Sequence, residues 1–148
     1  MRIANEAEMI ALGRSLAKQL NPPAVFELIG DVGTGKTTFT RGLAEGLGVS
    51  EPVTSPSFTI SKRYDFQTPG GTNGELIHYD FYRLNDPGLM RDELAEALSQ
   101  PNSVIVVEWG GDVADLLPET KLQLNLSLSS DDSRTISFND NAKFMENL

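Results

Sequence analysis

The chain has 148 residues, 39% hydrophobic and 22% charged, with a formal net charge of −9. That size and balance predict one soluble globular domain spanning 1–148, while the acidic excess weighs against autonomous nucleic-acid binding, which needs a basic face. With no membrane-length apolar run, no signal-peptide core and no cysteine for a disulfide, thiolate metal site or nucleophile, a cytoplasmic protein without membrane contact is the expectation.

In chain order, Asn5 followed by Glu8 reads as a capping box that opens a helix through "EAEMIALGRSLAKQL", and "NPP" at 21–23 stops it. "AVFELIG" (24–30) reads as a buried strand running into a glycine loop. "KTTFTRGLAEGL" then predicts a helix with Phe39, Leu43 and Leu47 on one face, closed by Gly48 as a left-handed cap. "EPVTSPSF" (51–58) is a proline-broken loop leading to a strand at about 58–65. "QTPGGTNGE" reads as a hairpin connection to the strand "LIHYDFYRL" (76–84). A helix over 87–99, a turn "QPNS" and a strand "VIVVEW" (104–109) follow. In the tail, alternating Leu122, Leu124, Leu126 and Leu128 predict a strand buried on one face, the first arm of an antiparallel hairpin. Strands alternating with helices early and hairpins late predict a mixed parallel/antiparallel sheet in a three-layer α/β/α domain.

The segment "GDVGTGKT" (30–37) fits G-x-x-x-x-G-K-[ST] without mismatch. In that motif, glycines let backbone N–H groups turn onto phosphate oxygens, the lysine (Lys36) reaches the β/γ-phosphates, and the hydroxyl (Thr37) ligates Mg²⁺. The helix behind the loop adds the partial positive charge of its N-terminus. A strand before and an amphipathic helix after supply the required context.

A P-loop also needs a carboxylate at the end of a second buried strand to steady the magnesium. Glu108, closing "VIVVE", is one candidate, against the plainer reading of a surface glutamate at a strand end. Asp80 is another, since His78, Asp80 and Tyr82 share one face of a strand; the plainer reading there is an exposed sheet face. His78, the lone histidine, is expected to be structural. In "VTSPSF", Thr54, Ser55 and Ser57 carry hydroxyls in a segment positioned to sense a γ-phosphate, unless Pro56 merely stiffens a connection. Trp109 reads either as core or as an aromatic shelf beside the nucleotide, and alternation along the strand, which puts it opposite Glu108, favours the core.

Together, "GDVGTGKTTFTRGLAEGLG", "VTSPSFTI", "HYDFYRL" and "VVEW" resemble, in order and spacing, the bacterial TsaE (YjeE) family, small P-loop ATPases needed for threonylcarbamoyladenosine formation in tRNA. The likeness spans residues 5 to about 118. It implies a P-loop (Val32, Gly33, Thr34, Gly35, Lys36, Thr37, with Thr38 behind it) that holds ATP, and Thr37 and Glu108 as Mg²⁺ ligands. It implies Asp80, with Lys36 and Glu108, as the catalytic set, and Trp109 beside the nucleotide. Glu6 and Arg134 fall where the family contacts the nucleotide outside the P-loop. Ser57 stands where the family usually has threonine, and Gly110-Gly111 where it often has proline or alanine. The partners implied are TsaD- and TsaB-like proteins, with tRNA reached only through them. A small-molecule kinase and a nucleotide-dependent binding switch with little turnover are the rival readings; for the first, the chain lacks a lid-sized insertion bearing arginines.

Overall fold

The computed structural model describes residues 1–56, 59–82, 84, 86 and 88–139. Its first helix, α1 (Glu6–Gln19), begins as the capping box predicts. The Glu8 N–H donates to Asn5 Oδ1 at 2.9 Å, and the Glu8 carboxylate reaches back to the Ala4 N–H at 2.7 Å. Strand β2 (Ala24–Ile29) follows the proline pair. Helix α2 (Lys36–Leu47) starts on Gly35 and ends on Gly48, which takes the left-handed conformation at φ 87°.

Helices α1 and α2 pack against each other at backbone distance. A Cβ on Gly42 would lie 2.3 Å from the carbonyl oxygen of Ile10, and one on Gly13 would lie 2.5 Å from that of Phe39. The obstacle in each case is main chain, so no rotamer change relieves it. Gly42→Ala is therefore expected to destabilise the protein by about 1–3 kcal/mol, although alanine is the better helix former. Denaturant unfolding checks this; an unchanged midpoint would mean that the helices part without cost.

The remaining elements are β1 (Arg2–Ile3), β3 (Ser61–Gln67), β4 (Asn73–Asp80), α3 (Gly88–Leu98), β5 (Ser103–Glu108), a 3-10 helix (Gly111–Leu116), β6 (Leu122–Leu128) and β7 (Arg134–Phe138). One seven-stranded sheet runs in the order β1-β7-β6-β2-β5-β4-β3. Strands β6, β2, β5 and β4 are mutually parallel, while β3 and β7 run against their neighbours. The sheet is mixed, as expected. On one face, Phe26, Leu28, Leu76, Val104, Val106 and Leu124 pack under α1 and α2 with Met9, Leu16, Phe39 and Leu43. On the other, Ile77, Tyr79, Ile105 and Val107 pack against Leu94 of α3 and Val113 of the 3-10 helix. Among the described residues, no helix is long and apolar enough to cross a membrane.

Several boundaries depart from expectation. The strand expected over 76–84 runs over 73–80, because the Asp80 carboxylate accepts the Tyr82 N–H at 3.0 Å and turns the chain out of the ladder. The strand expected at 58–65 runs over 61–67, after Ile60 at φ 68°; Phe58 lies outside the described residues. Leu122, Leu124 and Leu126 are buried, but Leu128, the last residue of β6 before the hairpin turn, is exposed. The tail hairpin forms as expected, and β6 also pairs in parallel with β2, beside the glycine loop.

Candidate functional site

The parallel strands β2, β5 and β4 end at one level, where an α/β sheet places its ligand crevice. From the end of β2 the chain enters the loop 30–35, in which Gly33 and Gly35 take φ values of 84° and 102°. These angles are strained for a side-chain-bearing residue and aim successive N–H groups the same way. The loop delivers the chain to the N-terminus of α2, a twelve-residue helix with no side-chain cap. Those amide donors and the helix dipole make a ready anion site.

Alternation carries Glu108 of β5, and His78 and Asp80 of β4, to the α2 face of the sheet, and Asp80 and Glu108 are register partners on adjacent parallel strands. Both carboxyl groups are buried, at 8% and 3% exposure. With Lys36, Thr37 and Trp109 they line a single cavity of about 350 Å³. The sequence left open whether Asp80 or Glu108 belongs to a site; the structure brings both to the same one.

Lys36 is 6% exposed. Its ammonium donates to the carbonyl oxygens of Gly30 and Asp31, each at 2.7 Å, and lies 5.2 Å from the centre of the Trp109 ring. Burial pushes its pKa down, while the negative charges of Glu108, Asp80 and Asp31 oppose that shift. Burial pushes the Asp80 carboxyl up; the Tyr82 N–H draws it down and the neighbouring Glu108 pushes it further up. The fully buried His78 holds Glu108 by a 2.9 Å contact from Nε2 to Oε1. Its other ring nitrogen, Nδ1, is buried with no hydrogen-bond partner among the described residues, so the lone histidine is not the fully satisfied residue that the sequence suggests.

Trp109 is not in the core. Strand β5 ends at Glu108, and Trp109 takes φ 55°, which breaks the alternation and turns the indole to the cavity, 36% exposed. Tyr82, which the sequence placed on a strand, sits past the end of β4, lines the same cavity and packs 4.7 Å from Trp109. No motif pointed to Tyr82 as a wall; the signal was its position two residues after Asp80.

The other predicted residues divide. Val32, Gly33, Gly35, Thr38 and Arg134 line the cavity, and Arg134 reaches the Gly33 carbonyl at 3.4 Å across the β6–β7 hairpin. Thr34 has its hydroxyl turned inward to the Asp31 carbonyl at 2.8 Å. Glu6 lies in an adjoining cavity of about 130 Å³ with Thr38 and Arg134, paired to Arg41 at 2.9 Å. Ser55 lines the main cavity, whereas the Thr54 hydroxyl is hydrogen-bonded by Lys62. Ser57 lies outside the described residues.

Among the described residues, no three His, Cys, Asp or Glu side chains gather into a metal site of their own. Mg²⁺ bound together with a nucleotide takes one or two protein oxygens besides phosphates and water. The Thr37 hydroxyl and the Glu108 carboxylate are hard oxygen donors of that kind.

The fold and these motifs have relatives. The family model described as threonylcarbamoyl adenosine biosynthesis protein TsaE matches residues 3–136. A tRNA threonylcarbamoyladenosine biosynthesis protein TsaE from Bacillus subtilis is 38% identical over 138 residues, which cover 93% of this chain and 82% of that protein. The protein of the same name from Streptomyces coelicolor is 42% identical over 125 residues, covering 84% and 82%. A crystal structure of YdiB from Bacillus subtilis superposes with a TM-score of 0.72 at 35% identity, covering 93% of this chain and 82% of that one. With a family match over nearly all of its length and relatives at this identity, the chain belongs to the TsaE family.

Proposed function

We propose that this protein binds and hydrolyses ATP in the cavity between the glycine loop and the ends of β4 and β5, as a component of the tRNA threonylcarbamoyladenosine machinery. The observation that carries the proposal is the convergence of Lys36, Thr37, Asp80 and Glu108 on one 350 Å³ cavity at the N-terminus of α2. Such a set matches what phosphoryl transfer asks of a protein, which is positioning and charge stabilisation.

The N–H groups of 32–37 would cradle the phosphates, and Lys36 would exchange its loop carbonyls for phosphate oxygens. Thr37 and Glu108 would hold Mg²⁺, which when bound neutralises charge on the phosphate chain. Asp80 accepts the Tyr82 N–H through one oxygen, leaving the other to orient an attacking water. Trp109 and Tyr82 would wall the site and limit solvent. Glu6 and Arg134, in the adjoining cavity, would contact the nucleotide beyond the loop. Ser55, in the cavity wall, would sense the γ-phosphate.

ATP turnover here would act on a partner, a complex of TsaD- and TsaB-like proteins. A net charge of −9 supports contact with tRNA through those partners rather than directly. The test is phosphate release from ATP with Mg²⁺, by the protein alone and with its cognate TsaD–TsaB pair, alongside modification of tRNA. Turnover that rises with the pair and accompanies modification is expected. Modification without any phosphate release would turn the proposal into a binding switch. Efficient transfer to a small acceptor would make the protein a kinase, and modification that proceeds equally without this chain would sink the assignment.

A further inference from the structure

Glu27 lies in the middle of β2, the strand that feeds the glycine loop, and its side chain is directed to the sheet face opposite α2. It is 7% exposed and makes no hydrogen bond or ion pair with any described residue. It also lines a separate cavity of about 310 Å³, whose other walls include Ile29, the Gly30–Asp31 backbone, Trp109 and Gly111.

The rim of that cavity is bare. A Cβ on Gly111 would meet nothing within 4 Å, and Gly111 has no positive φ, so neither crowding nor backbone geometry calls for glycine there. Exposed Ile29 adds apolar surface to the same cavity wall. A buried carboxyl group at the base, an open mouth and an apolar margin suit a long side chain that carries a cation on an apolar stem.

We propose that this cavity is a second recognition site, distinct from the nucleotide cavity, that receives an arginine or lysine side chain from a protein bound over the Gly111 rim. The net charge of −9 favours a basic partner surface and steers it in. The two cavities share Trp109, and the Gly30–Asp31 backbone that walls the second also accepts the Lys36 ammonium. A ligand in one cavity that moves Trp109 would change the affinity of the other, and such coupling is reciprocal. The proposal concerns a different cavity from the one assigned to ATP and stands whether or not ATP is hydrolysed.

Trp109 is the only tryptophan and lines the cavity, so its fluorescence reports binding directly. The experiment titrates the nucleotide-free protein with N-acetyl-arginine amide, with the uncharged N-acetyl-citrulline amide, and with spermidine. A saturable millimolar response to the arginine probe, absent with citrulline, is expected. Glu27→Gln should weaken it by about tenfold. Gly111→Leu, which fills the rim without touching Glu27, should weaken it comparably, with circular dichroism confirming that both variants fold. No saturable response, equal binding of citrulline, or undiminished binding in both variants would overturn the proposal. Spermidine binding tighter than the arginine probe would overturn a protein as the source of the cation. ATP turnover by wild type is measured in parallel, so failure of this site and failure of the nucleotide site are read separately.

Discussion

Lys36→Ala is expected to abolish nucleotide binding, weakening ATP by about 10²–10³-fold, as the loss of two charge-assisted hydrogen bonds implies. The side chain is buried to 6% exposure, under the Trp109 ring and against the Gly30 and Asp31 carbonyls. Alanine leaves those carbonyls without their donor and leaves Asp80 and Glu108 facing the incoming phosphates with no cation to offset them. Lys36→Arg should fail as well, because a wide planar guanidinium cannot occupy the space of a compact ammonium between two carbonyls. Titration of ATP followed by Trp109 fluorescence or calorimetry checks this. An alanine variant that binds ATP as tightly as the parent would remove Lys36 from the site.

Much of this arrangement was legible in the sequence because its parts are local. A G-x-x-x-x-G-K-T run dictates positive φ at its glycines and a helix behind it, whatever the rest of the chain does, and Gly33, Gly35 and α2 follow that rule. The apolar run before Glu108 likewise had to be a central strand. What depended on single backbone turns was not legible. Period-2 alternation assumes that a strand continues, but Asp80 ends β4 by capturing the Tyr82 N–H, and Trp109 leaves β5 through φ 55°. Both aromatic side chains therefore moved from predicted strand faces to the wall of the cavity. Contacts set by sheet order could not be read from the residues themselves, and Arg134 was singled out only through the family resemblance. Arg134 reaches the glycine loop only because β6 pairs with β2, and β1, at two residues, is too short to show a period. Glu27 escaped notice because a lone polar residue in a hydrophobic strand carries no motif.

Asp80→Asn should separate catalysis from stability. Turnover is expected to fall by about 10²–10⁴-fold, the usual effect of losing a positioned acid or base, while ATP binding persists because Lys36 and the loop amides remain. Asparagine can still accept the Tyr82 N–H, so the chain turn after β4 survives. Stability should move the other way. The Asp80 carboxyl has its pKa raised above 3.8 in the folded protein, chiefly by burial, so between 3.8 and the raised value the folded state binds more protons than the unfolded one. Stability therefore falls as pH climbs through that window and stays lower above it. An amide does not titrate, so the nucleotide-free variant should unfold at a higher temperature than the parent at pH 7, with the two converging as pH drops below 3.8. Glu108→Gln should also lose turnover, but with a changed dependence on Mg²⁺ concentration, since Glu108 is the proposed metal ligand and Asp80 is not. Thermal unfolding across pH and phosphate release across Mg²⁺ concentration distinguish the two carboxylates. Normal turnover in the Asp80 variant would refute its role, and equal melting temperatures at every pH would refute the burial cost. Both effects together would mean that the fold keeps a destabilising carboxylate at the end of β4 for the chemistry it performs there.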